Sequence, residues 1–233
     1  PSADGSIYSE ESVRLPDSWC CYDPMSTHSQ SPVETEQCGR FVRFGSLNNF
    51  CKFNEPVMRL WAEVLAAVPG SRLLLLAPEG GHRVKLRKAI EVLGVAGQRL
   101  EFCDYCPRDE YLRLFDRIDI ALDPLPYNGI TTTLDALWMG VPVVSLAGKT
   151  AAGRAGLSLL STVGLPELAA HDREQFIQVA KSLAQDRPRL AAIRAGLRER
   201  MEKSPLMDGR RFARAMEAAY REMWRKWCGQ PAT

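Results

Sequence analysis

The chain has 233 residues, of which 45% are hydrophobic and 25% charged, and its formal net charge is +2. That length suits one large domain, or one domain with a tail, and is enough to bury a sizeable core. The near-neutral balance argues against a nucleic-acid-binding protein, in which a basic surplus gathers on one element, and the sequence holds no run of about 18 apolar residues of the kind that spans a membrane.

Residues 1–39 differ in composition from the rest. The opening, PSADGSIYSEESVR, is polar and acidic and does not read as a signal peptide. Ser, Pro and acidic residues predominate, with Ile7, Tyr8, Val13, Leu15, Trp19 and Tyr22 as apolar anchors. The pattern predicts a short helix over Ser9–Leu15, then an extended linker to Gly39. A linker carrying Trp and Tyr is expected to pack on this domain or on a partner domain.

From Arg40 the pattern becomes regular, so residues 40–233 read as one domain. Phe41–Leu47 is a predicted strand and Asn48–Asn54 a loop. Glu55–Val68 is a helix with Val57, Leu60, Trp61, Val64 and Leu65 on one face, stopped by Pro69-Gly70. Arg72–Leu76 is nearly pure leucine, as expected of a strand buried on both faces. Helices are expected at Arg83–Leu93 and Arg108–Phe115, with a strand at Leu100–Cys103 between them. Ile118–Leu122 is another short apolar strand, and Asp123–Ile130, with its prolines, asparagine and glycine, must turn. Leu134, Ala136, Leu137 and Met139 then give a helical face that follows Thr131–Thr133 and ends at Gly140 and Pro142, before a strand over Val141–Leu146. Beyond Gly148 the strands are expected to run out, leaving helices at Arg154–Leu160, Arg173–Asp186, Pro188–Met201 and Arg210–Trp227. The alternation implies an α/β fold: a doubly wound, mainly parallel, Rossmann-like sheet of about five or six strands with a helical C-terminal cover.

In such a sheet ligands bind beyond the C-terminal strand ends, at the switch point. The loops there offer Asn48, Asn49 and Lys52, then Asp104–Arg108, then Asn128–Asp135. Lys52 and Arg108 are cations. The third loop opens a helix, whose first amides and positive dipole end favour anions. Gly129 lets backbone approach a ligand, the threonines add hydroxyls, and Asp135 lies within reach of a sugar hydroxyl. Together these residues describe a site for a diphosphate with a polar head group. An N-capped helix and solvated loop charges would leave the same residue types.

The seven cysteines follow no framework spacing, which reads as a reduced cytoplasmic protein. Cys103 and Cys106 have C-x-x-C spacing, but no second pair or neighbouring histidine completes a zinc site, so no metal is expected.

Several segments resemble a known family. FGSLNNFCK (Phe44–Lys52), LWAEVLAAVPGSRLLLL (Leu60–Leu76), YNGITTTLDALWMGVPVVSLAG (Tyr127–Gly148), GRAGLSLLSTVGLPEL (Gly153–Leu168), SPLMDG (Ser204–Gly209) and Met223-Trp224 are similar to the C-terminal catalytic half of the O-linked N-acetylglucosaminyltransferases, including their bacterial and plant SPINDLY-like members. YSEESVRLPDSWCCYDP (Tyr8–Pro24) resembles the join between that family's two catalytic lobes, so residues 1–39 correspond to the inter-lobe linker and the end of the N-terminal lobe. The resemblance implies the C-terminal lobe of a glycosyltransferase-B fold that binds UDP-GlcNAc. It also implies transfer of GlcNAc to protein Ser or Thr with inversion, without a metal or other cofactor. By the same resemblance Asn49 meets the nucleotide-sugar, Lys52 neutralises the leaving diphosphate, Cys106 and Arg108 lie in the loop that holds uracil, Thr131 and Thr132 bind phosphate, and Asp135 binds the ribose. Arg108 replaces the usual Lys, Tyr111 stands where many relatives have a His against the nucleotide, Ile130 replaces a polar loop tip, and Ala151 replaces a His of the bacterial members. The family's acceptor lobe and tetratricopeptide repeats are not matched here, so half a catalytic unit is expected. Two other readings compete: a non-catalytic nucleotide-sugar-binding module, and a transferase using another donor, such as the GDP-fucose of SPINDLY-like members, or a non-protein acceptor.

Overall fold

Strand β1 (Arg43–Ser46) lies at the centre of a six-stranded sheet, because its neighbours on both sides are strands that return to it through helices. A computed structural model describes residues 9–26 and 41–229. In chain order the elements are α1 (Glu55–Ala67), β2 (Arg72–Leu76), α2 (Gly81–Val92), β3 (Leu100–Cys103), α3 (Arg108–Leu114), β4 (Ile120–Leu122), α4 (Thr131–Trp138), β5 (Val143–Leu146), α5 (Ala155–Thr162), β6 (Ala169–Ala170), α6 (Arg173–Gln185), α7 (Arg187–Lys203) and α8 (Gly209–Trp227). The sheet order is β3-β2-β1-β4-β5-β6 and all five pairings are parallel. Phe44 of β1 is in register with Leu73 on one side and Ile120 on the other. The chain winds outward from β1 in both directions, and the switch point lies between β1 and β4.

The residues that form these elements explain them. Leu73–Leu76 of β2 are buried, since helices cover both sheet faces. Helix α1 is capped by Asn54, whose side chain accepts the Val57 amide, and it buries Val57, Leu60, Trp61, Val64 and Leu65 as the spacing required. Asp172, Asp186 and Asp208 cap α6, α7 and α8 in the same way.

Three local expectations are corrected. Residues 9–15 form no helix: seven residues are too few to nucleate one without packing, and Val13 remains about half exposed. The loop over Asn48–Asn54 contains a 3-10 turn at Phe50–Lys52. The strands do not run out after Gly148, because Ala169–Ala170 pairs with Ser145 and Leu146 and adds β6. Ile7, Tyr8 and the linker from residue 27 to Gly39 lie outside the described residues.

The described part of the linker is a strap without regular structure. Tyr22 anchors it: the ring is buried, and its amide donates to the Leu206 carbonyl at 2.7 Å. Asp17 pairs with both arms of Arg211 on α8, and Glu11 pairs with Lys226 further along that helix. Beyond its first turns α8 is exposed, with Tyr220, Trp224 and Trp227 open to solvent.

Candidate functional site

The site is built from the segments that leave β1 and β4. After β1, Asn48 is buried and Asn49 is exposed. The Asn49 side chain accepts the Cys51 amide at 3.0 Å, which closes the turn that presents Lys52. The Lys52 ammonium donates to the Asn128 carbonyl at 3.0 Å and to the Asn48 side-chain oxygen at 3.4 Å. It also stands 4.4 Å from the centre of the Tyr127 ring. Burial pulls this amine below the usual lysine range, and the charge of Asp123 opposes the shift. Lys52 is thus a half-buried cation on neutral acceptors, placed at the switch point.

After β4 comes Asp123, buried at 1% exposure. Its Oδ1 accepts the Gly129 amide and its Oδ2 the Ser145 hydroxyl, both at 2.6 Å. Burial pushes the Asp123 carboxyl up to about 7, against those two hydrogen bonds and Lys52. The turn beyond it is pinned from outside by Asn54, which donates to the Leu125 carbonyl at 2.8 Å, and from inside by Asn128, which donates to the Pro124 carbonyl at 3.0 Å. Gly129 is required by packing, since a Cβ there would stand 2.9 Å from the Thr133 hydroxyl and 3.0 Å from the Asn48 oxygen.

Helix α4 then starts at Thr131 with no side-chain cap. An ordinary threonine cap is therefore not what opens this helix. Thr131 is exposed and Thr132 half-buried, while the buried Thr133 donates its hydroxyl back to the Gly129 carbonyl at 3.1 Å. The first-turn amides and the exposed Thr131 hydroxyl are left at the start of the helix, where the dipole favours an anion.

A second cluster forms where α3, α4 and the strap meet. Arg108 grips Asp135 with two nitrogens, at 2.8 and 2.5 Å, and also donates to the Pro24 carbonyl at 3.0 Å. The Tyr22 hydroxyl donates to Asp135 Oδ1 at 2.7 Å. Burial and the neighbouring Asp135 push both Tyr22 and Tyr111 above the ordinary phenol range, and the Asp135 hydrogen bonds hold Arg108 firmly charged. Tyr111 bonds to Thr132 and packs edge-on against Phe115. Arg108 is therefore neutralised by Asp135 in this arrangement, and Lys52 is the cation turned to the switch point.

A model of the glycosyl transferase family 41 matches residues 36–216. The chain belongs to glycosyl transferase family 41. Its residues are 40% identical over 223 positions to a probable UDP-N-acetylglucosamine–peptide N-acetylglucosaminyltransferase SPINDLY of Petunia hybrida, covering 94% of this chain and 24% of that one. They are 30% identical over 236 positions to a probable enzyme of the same kind, SEC, of Arabidopsis thaliana, covering 95% of this chain and 24% of the relative. An O-GlcNAc transferase mutant of Thermobaculum terrenum has the same fold with a TM-score of 0.88 and 38% identity, over 98% of this chain and 44% of that structure. The sheet and its helices are thus the C-terminal lobe of a glycosyltransferase-B fold. The chain spans about a quarter of the length of the curated relatives it matches.

Within this family 41 lobe the residues singled out by sequence fall into two groups. Asn49, Lys52, Gly129, Ile130, Thr131 and Thr132 gather at the switch point and the opening of α4. Cys106, Arg108, Tyr111 and Asp135 gather on the strap side, where burial raises the Cys106 thiol. Cys103 is buried and donates to the Leu75 carbonyl at 3.6 Å, so the C-x-x-C spacing pairs one core thiol with one loop thiol. Sequence reasoning missed Asp123, Tyr127, Tyr22 and His82. The His82 ring, on α2, stacks on Phe50 at 4.5 Å, beside the Lys52 turn. The signal for Asp123 was an acid directly after an apolar strand, and for Tyr22 an aromatic in an otherwise polar segment.

Proposed function

We propose that this lobe binds the donor of an inverting, metal-independent protein O-GlcNAc transferase, with UDP-GlcNAc as donor and Ser or Thr hydroxyls as acceptors. The observation that carries the reading is Lys52, a half-buried cation on neutral acceptors at the switch point, beside the uncapped start of α4. As the bond to the sugar breaks, the departing UDP gains charge. A fixed ammonium and a row of backbone amides there stabilise the transition state more than the bound donor. In this reading Thr131 and Thr132 add hydroxyls to the phosphates, and Asn49 meets the sugar side. Arg108, Asp135, Tyr111 and Cys106 receive the nucleoside. Asp135 keeps capacity for a ribose hydroxyl, since a carboxylate has about four acceptor positions. The acceptor and the group that takes its proton belong to the rest of the protein, as does any tetratricopeptide region.

Calorimetry of the 233-residue chain with UDP, GDP and their sugars tests this. UDP and UDP-GlcNAc are expected to bind, and Lys52→Ala to weaken both. Tighter binding of GDP and GDP-fucose would move the protein to a different donor. Absence of nucleotide binding would leave it an interaction module.

A further inference from the structure

Asp123 takes no part in the donor contacts assigned above, yet it is among the most buried charged residues of the protein. Its cavity is shaped around it. A Cβ on Gly156 would stand 2.7 Å from Oδ2, and one on Gly129 would stand 3.1 Å from Oδ1. Gly156 thus lets α5 close over the carboxylate, and the Ser145 hydroxyl on β5 donates to Oδ2.

The two charges of the switch point meet on one peptide unit. Asp123 accepts the N–H of Gly129 at 2.6 Å. Lys52 donates to the C=O of Asn128 at 3.0 Å, which is the other end of the same peptide bond. A peptide plane is rigid, with its carbonyl and amide pointing in opposite directions. Fixing one end therefore fixes the other. When a diphosphate draws the ammonium away, the carboxylate is the charged partner that still holds the plane. The next two residues are Ile130 and Thr131, so the same plane also sets where α4 begins.

We propose that Asp123 is a positioning residue for the diphosphate: by holding the Gly129 amide it orients the Asn128–Gly129 peptide, and through it Lys52 and the opening turn of α4. The inference rests on the donor reading given above. Its chemistry makes it sensitive to protonation. The Gly129 amide can only donate, whereas the Ser145 hydroxyl can turn from donor to acceptor, so Oδ2 is the oxygen that can share a proton with its present partner. The groups facing the carboxylate are Lys52 from the segment after β1, Ser145 from β5, the Gly129 amide and Gly156 of α5, and Lys52 is the charged one among them. Protonation removes the negative partner of that ammonium. Because burial pushes the carboxyl up to about 7, the change falls inside an accessible range.

The test is Asp123→Asn in the full 233-residue chain, which keeps the shape and an acceptor for Gly129 but does not titrate. The Gly129 amide is followed by NMR without ligand. The affinity for UDP-GlcNAc, whose diphosphate diester does not ionise in this range, is measured by calorimetry across the same pH values. In the unaltered protein both readouts should inflect near 7. Below the inflection affinity should fall by up to about tenfold per pH unit, as for one required ionisation. In Asp123→Asn both profiles should be flat. Ser145→Ala, which removes a hydrogen bond that favours the ionised form, should move the inflection to higher pH, and it serves if the Asn variant does not fold. Binding with the same pH profile in the unaltered protein and either variant would overturn the role of Asp123 and leave the donor reading standing. No binding of UDP-GlcNAc to the unaltered protein at any pH would overturn the donor reading itself.

Discussion

At the residue scale the two charges at the switch point have opposite effects on stability and on function. Lys52 is the group through which loss of a side chain should reach catalysis. In the longer protein that carries both lobes, Lys52→Ala should lower kcat by about 10²-fold, the usual effect of removing one preorganised contact to developing charge. Turnover within about twofold of the unaltered enzyme would take Lys52 out of the mechanism. Asp123 should show its cost in the fold. Burial pushes its carboxyl from the ordinary 3.8 up to about 7, so the folded protein holds a proton that the unfolded chain releases in between. The contribution is fully present below about 3.8 and is lost as pH rises through about 7. Asp123→Asn, which has nothing to ionise, should therefore gain on the unaltered protein as pH rises across that window. Melting curves at acid and alkaline ends would show it; a constant difference between the two proteins would contradict the burial of a titrating carboxylate. Asp135 needs a gentler substitution than alanine. Truncation would strand Arg108, whose side chain is 32% exposed, and should cost about 2–3 kcal/mol, below the ~3–5 of a fully buried pair. Asp135→Asn keeps the shape and gives the cleaner measure of nucleotide affinity.

At the element scale, α4 is held on one side by its core face and on the other by the strap. Trp138 is 8% exposed, lies edge-on to Tyr22, and carries the Arg198 guanidinium 3.5 Å above its ring. Trp138→Ala should cost about 3–5 kcal/mol, as for other large buried aromatics. Denaturant midpoints would measure it, and an unchanged midpoint with lost nucleotide binding would mean that the indole serves the ligand and not the core. Tyr22→Phe removes one donor from Asp135 and should cost about 1–2 kcal/mol. The elements also show what could be read from the sequence. Arg72–Leu76 was legible because a run of leucines has one stable place in an α/β sheet. α1 was legible because its apolar spacing and its Pro-Gly stop agree, and the structure adds the Asn54 cap. β6 was not, since two alanines carry no periodicity and become a strand only through pairing with β5. The helix expected over Ser9–Leu15 failed for the converse reason: local propensity favoured it and no packed surface supports it. Within the site, Lys52 and Thr131 were visible because one follows a strand end and the other opens a helix, and Asp135 because it lies one turn into that helix. For Asp123 the sequence offered only an acid after an apolar strand, because its partners, Gly129 and Ser145, are set by the turn geometry and the sheet.

At the scale of the whole molecule, the sheet order places the two most important loops side by side, although Lys52 and Asn128 are 76 residues apart in sequence. Both belong to this lobe, so UDP should bind to the 233-residue chain alone. On the half-enzyme reading GlcNAc transfer should not occur, because the acceptor hydroxyl must be held within about 3–3.5 Å of the sugar carbon and that reading assigns no acceptor site to this lobe. A radiolabel transfer assay with protein acceptors checks this, with Lys52→Ala as the inactive control; robust turnover by the chain alone would contradict the half-enzyme reading. The exposed aromatics of α8, Tyr220, Trp224 and Trp227, should make the isolated chain self-associate, visible as concentration-dependent sedimentation.

The strap has a consequence for how the protein is made. Tyr22 waits for Asp135, 113 residues later, and Asp17 waits for Arg211, 194 residues later. At ribosomal speeds of about 5–20 residues per second, Asp17 leaves the peptidyl-transferase centre about 10–40 s before its partner exists. The sheet can wind outward from β1 while synthesis proceeds, since successive strands lie near one another along the chain. Tyr22 can reach Asp135 once α4 has emerged, but the strap cannot close along its whole length until Leu206 and Arg211 have followed. Newly made protein therefore passes through a stage in which the α/β layers are assembled while Asp17 and the Tyr22 amide still lack Arg211 and Leu206.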